Sequence, residues 1–68
     1  MYMNRPYILL IDIFNVFVPT QNIQIVDEVN TVIAEGKAVE LLGVLSKYRN
    51  HEVCRIESHN NTLIIEIA

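Results

Sequence analysis

The order of apolar and polar residues divides this chain into four segments. Residues 7 to 18 form an almost unbroken apolar run between Pro6 and Pro19, rich in β-branched and aromatic side chains. Proline has no amide to give to the interior of a sheet and therefore stands at strand ends. The pattern predicts a strand over residues 7 to 18. Because both of its alternating faces are mostly apolar, we expect it to be covered on both sides or to lie centrally in its sheet.

The second segment, residues 22 to 35, has β-branched side chains at a helical spacing. On a helical wheel one side collects Ile25, Val26, Val29, Val32 and Ile33. Gly36 follows at the position where a left-handed residue often ends a helix. We therefore predict a helix over residues 22 to 35 that ends at Gly36. The alternative is a second strand that turns back near residues 19 to 22 and forms a hairpin with the first, in a ββαββ order.

The third segment, residues 37 to 49, has apolar residues at spacings of three and four, which predicts a helix. Its apolar stripe consists of Ala38, Leu41, Leu42, Leu45 and Tyr48. Lys47 and Arg49 fall in the last turn, where positive charge offsets the exposed carbonyl groups.

The fourth segment predicts a hairpin of residues 52 to 58 and 62 to 68. Asn60 and Asn61 fit a two-residue turn because asparagine tolerates positive φ angles. The resulting register pairs Arg55 with Glu66, Glu57 with Ile64, Ile56 with Ile65, Ser58 with Leu63 and Cys54 with Ile67. Cys54 would then be an inert thiol packed on the apolar face.

These four segments predict an α+β fold in a single domain of residues 1 to 68. The predicted order is β-α-α-β-β, with a small antiparallel sheet and helices on one face. At 51% hydrophobic and 19% charged residues, the composition excludes a disordered tail. The apolar run of residues 7 to 18 is shorter than the roughly 20 residues that a membrane-spanning helix needs. We expect no membrane segment.

Charge and cysteine content narrow the function classes. The net charge is −3, so the chain lacks a broad basic surface for nucleic-acid phosphates. One cysteine cannot form an internal disulfide, which favours a reducing, cytoplasmic setting. The many Ile and Asn residues are typical of the AT-rich genomes of some bacteria and phages.

Asp12 is the first candidate for chemistry, because it lies in an apolar strand pattern and is followed by Asn15. Residues 8 to 17 resemble the first strand of PIN, NYN and related metal-dependent nuclease domains. The resemblance implies a divalent cation held by Asp12. Ile13 and Phe14 stand where those families usually have small residues, and a Mg²⁺ site needs several convergent carboxylates. We interpret Asp12 as a strand residue near a sheet edge.

Two further clusters involve histidine. His51, Cys54 and His59 have an H-x₂-C-x₄-H spacing, but the predicted hairpin directs Cys54 to the face opposite the histidines, so we expect no metal and no cofactor. Lys47, Arg49 and His51 surround Tyr48 and are candidate contacts for an anion such as a phosphate.

The sequence contains no assembled catalytic set, and we expect the chain not to be an enzyme. Large apolar surfaces on small proteins usually mark an interface. We therefore predict an interaction protein that binds itself, as a homodimer or higher oligomer, or a larger protein as regulator, inhibitor or accessory subunit. One face of the first strand would form the contact. The candidate interface residues are Ile8, Leu10, Phe14, Val16 and Val18, and the alternative face consists of Leu9, Ile11, Ile13 and Phe17.

Overall fold

A computed structural model describes residues 8–68 of the chain. It contains β1 (Ile8–Leu9), α1 (Leu10–Phe14), β2 (Asn22–Val26), β3 (Val32–Lys37), a 3₁₀ helix (Ala38–Leu41), α2 (Leu42–Tyr48), β4 (Glu52–His59) and β5 (Thr62–Ile67). The α+β class is confirmed. The order of the elements differs from both predicted orders.

The five strands form one sheet in the order β1-β4-β5-β2-β3. β2 is parallel to β5, and the other neighbouring strands are antiparallel. The prediction of a purely antiparallel sheet is therefore wrong. The parallel pair joins the β2–β3 hairpin to the β4–β5 hairpin side by side.

The predicted strand over residues 7 to 18 is wrong beyond β1, and Tyr7 lies outside the described residues. The chain turns into α1 after Leu9. Leu10 and Phe14 are four residues apart, so they lie on one side of this short helix, and both are buried. A short apolar run fits a strand or a buried helix equally well, which is why the pattern did not separate them.

The predicted helix over residues 22 to 35 is wrong, because the segment forms β2, a turn and β3. Asp27 Oδ1 accepts hydrogen bonds from the backbone N–H groups of Val29 and Thr31, and Asn30 has a φ of 67°. These contacts close the turn locally. The strand alternative for this segment is also incorrect in its pairing, since β2 pairs with β3 and β5 and not with residues 7 to 18.

The predicted helical segment after Gly36 is confirmed by the 3₁₀ helix and α2. Gly36 itself does not end a helix. It lies in β3 opposite Ile23, with a φ of 154°, where an L-residue would be strained.

The C-terminal hairpin and most of its register are confirmed. Asn60 and Asn61 form the turn with φ angles of 50° and 64°. The register predicted between Arg55 and Ser58 in β4 and their β5 partners is observed. The pairing of Cys54 with Ile67 is wrong, because a register shift places Val53 opposite Ile67 and leaves Cys54 exposed.

The core lies between one face of the sheet and the helical segments. It consists of Leu10, Phe14, Ile23, Ile25, Ala38, Leu41, Ile65 and Ile67. Alternate residues of β2 and β5 supply the sheet's share. The opposite face carries polar contacts, including the Arg55–Glu66 ion pair at 2.9 Å. The prediction that the first strand is covered on both sides or lies centrally in its sheet is wrong, because β1 is an edge strand of the described sheet and Ile8 is half exposed.

Candidate functional site

An apolar groove runs between the segment that follows α1 and the start of the helical region after β3. Its volume is about 160 Å³, and its lining is almost entirely apolar. The lining residues are Phe14, Phe17, Pro19, Ala38, Val39 and Leu42. An engineered cavity of about this size holds a benzene molecule, so the groove has room for one large apolar side chain.

Backbone hydrogen bonds hold the two walls of the groove together. Val39 N–H donates to the carbonyl oxygen of Pro19 at 3.0 Å, and Ala38 N–H donates to that of Gln21 at 2.9 Å. On the first wall the Phe14 and Phe17 rings meet edge to face, with centroids 5.4 Å apart. Phe14 is part of the core, so this contact anchors Phe17 beside the groove.

The walls expose large apolar side chains to solvent. Val39 is 52% exposed and Leu42 is 57% exposed. Next to the lining residue Phe17, Val16 and Val18 are 76% and 59% exposed. Exposed apolar side chains such as Val39 and Leu42 on the wall of a concavity are typical of a binding surface.

The five residues predicted to form an interface do not share one face. Leu10 and Phe14 are buried in the core, whereas Ile8, Val16 and Val18 are exposed. The single strand on which that surface was based is not formed. Phe14 lines the groove, and Val16 and Val18 are sequence neighbours of the lining residue Phe17, so part of the predicted set lies at or next in sequence to the candidate site.

The candidate anion contacts lie at the end of α2, and all three residues are exposed. Lys47 Nζ is 5.5 Å from the centre of the Tyr48 ring. The His51 ring is 5.0 Å from the same ring, and its Nδ1 donates to the carbonyl oxygen of Ala68 at 2.7 Å. The Arg49 carbonyl oxygen accepts from Ile11 N–H. Tyr48 thus organises two of the three candidate side chains.

Asp12 occupies the first turn of α1 and not the tip of a long strand. Its Oδ2 accepts a hydrogen bond from Leu9 N–H at 2.9 Å. Glu40 has the same role at the 3₁₀ helix, where its Oε1 accepts from Lys37 N–H at 2.8 Å. Each carboxylate satisfies an amide where a strand turns into a helix, as in the second half of a capping box.

Cys54 and the two histidines do not form a metal site in the described part of the chain. Among residues 8–68, no three His, Cys, Asp or Glu side chains are grouped as metal ligands would be. Partial loss of hydration raises the pKa of the Cys54 thiol, and the negative charges of Glu52, Glu66 and Glu28 raise it further. A raised pKa leaves less of the nucleophilic thiolate.

The groove was missed at the sequence level because its walls are distant in sequence. Two signals pointed toward it. Val39 and Leu42 widen the apolar stripe of the third segment beyond what one core contact needs. In addition, residues 13 to 26 form the longest stretch without Asp, Glu, Lys or Arg.

No protein-family model matches the chain, and neither the curated proteins nor the solved structures include one that matches it. The fold and the groove therefore define the molecule as a small α+β domain with an apolar surface site. Within residues 8–68, the helices are too short to cross a lipid bilayer.

Proposed function

We propose that this chain is a small, non-enzymatic protein-interaction module of the cytoplasm, which associates with itself or serves a larger protein as regulator, inhibitor or accessory subunit. The observation that supports this function is the apolar groove with Val39 and Leu42 more than half exposed on its walls. The single cysteine, Cys54, supports the cytoplasmic setting, because it cannot form an internal disulfide.

Burial of the groove by a partner is favourable for a physical reason. Full burial of one Val or Leu side chain is worth about 1.5–3 kcal/mol. A partner that covers Val39 and Leu42 gains part of that energy from each. Among residues 8–68, the lining of the groove includes no charged side chain whose desolvation would offset this gain.

The chain offers a matched pair of variants to test the groove. Val39→Asp places a charge on its wall, whereas Val29→Asp makes the same change at a 79% exposed residue in the β2–β3 turn. Protein captured from extracts of the source cell, with quantitative mass spectrometry, measures the effect. Specific partners, or the chain itself, should be lost with Val39→Asp and retained with Val29→Asp. Equal capture by both variants would contradict a role for the groove.

The second candidate function is a nucleic-acid-associated factor that uses Lys47, Arg49 and His51. The exposure of these residues around the Tyr48 ring favours it, because aromatic and cationic side chains together bind bases and phosphates. Gel shifts at low and moderate salt test it, since phosphate contacts weaken steeply with salt. Binding that Arg49→Ala abolishes would support this function over the first.

A metal-dependent nuclease is the weakest candidate, since the Asp12 carboxylate accepts a hydrogen bond from Leu9 N–H. Nuclease activity with Mg²⁺ or Mn²⁺ that is lost in Asp12→Ala, in a variant that remains folded, would support it.

A further inference from the structure

We draw no further inference here: the strongest candidate, the apolar groove between the segment that follows α1 and the 3₁₀ helix, belongs to the site already described, and nothing in the structure shows what covers it.

Discussion

Gly36 is the residue at which a single substitution tests the observed backbone conformation of β3 most directly. It lies in β3 with a φ of 154°, and a Cβ added there would lie 3.0 Å from Glu40 Oε1. A positive φ costs an L-residue about 1–3 kcal/mol. Displacement of the Glu40 carboxylate also weakens its hydrogen bond with Lys37 N–H, which is worth about 1 kcal/mol. We therefore expect Gly36→Ala to lower the free energy of unfolding by about 2–4 kcal/mol.

Gly43 provides the matched control, because the same substitution there should have the opposite sign. It lies in α2, and a Cβ added to it would meet no atom within 4 Å. Gly43→Ala should stabilise the chain by up to about 1 kcal/mol through helix propensity. Urea unfolding followed by circular dichroism, at one fixed protein concentration, measures both changes. A Gly36→Ala variant as stable as the wild type would refute the assigned backbone conformation.

Glu40→Ala separates the two parts of the Gly36 effect. In the Glu40→Ala background the Cβ added at position 36 no longer meets Oε1, but the backbone strain remains. Gly36→Ala should therefore lower the free energy of unfolding by about 1 kcal/mol less than it does in the wild type. The same penalty in both backgrounds would show that Glu40 does not contribute.

Three further predictions concern the hairpin, the free thiol and the first helix. Arg55→Glu should lower the free energy of unfolding modestly, because the ion pair is partly exposed, and Glu66→Arg should restore part of the loss. Strictly additive values in the double-mutant cycle would contradict the pair. Cys54 should react with iodoacetamide near pH 8 more slowly than in the urea-unfolded chain, because its raised pKa leaves less thiolate, and equal rates would contradict this. Leu10→Ala should lower the free energy of unfolding, measured in urea, by about 2–5 kcal/mol, because Leu10 is fully buried. Ile8→Ala should lower it by less than about 1 kcal/mol, because Ile8 is half exposed. Equal losses would refute the placement of α1.

The hairpin could be predicted because the residues that determine its turn and register are close together in the sequence. Asn60 and Asn61 determine the turn, and the turn length then sets which residues face each other. The register shift beside Cys54 could not be predicted, since one extra residue in a strand leaves no mark in the pattern of apolar positions. Its consequence is large, because it moves the thiol from the predicted apolar face to solvent.

The first two segments were mispredicted because their structure depends on distant partners. β2 alternates correctly from Asn22 to Ile25, but four residues are too few to outweigh the helical spacing of the longer window. Its strand conformation is supported by the parallel pairing with β5, about 40 residues away. Likewise, α1 forms where Leu10 and Phe14 can reach the core. The groove depends on both segments, so it could not be predicted before either was placed.

Two carboxylates cap the junctions between a strand and a helix. Their role shows why an acidic residue in this chain is a poor indicator of a catalytic or metal site. Asp12 and Glu40 each accept a hydrogen bond from the amide three residues earlier, at the end of β1 and of β3. These are the two edge strands of the sheet, and an amide left unpaired at an edge is a site where another strand can add. By capping one amide at each edge, the carboxylates disfavour growth of the sheet.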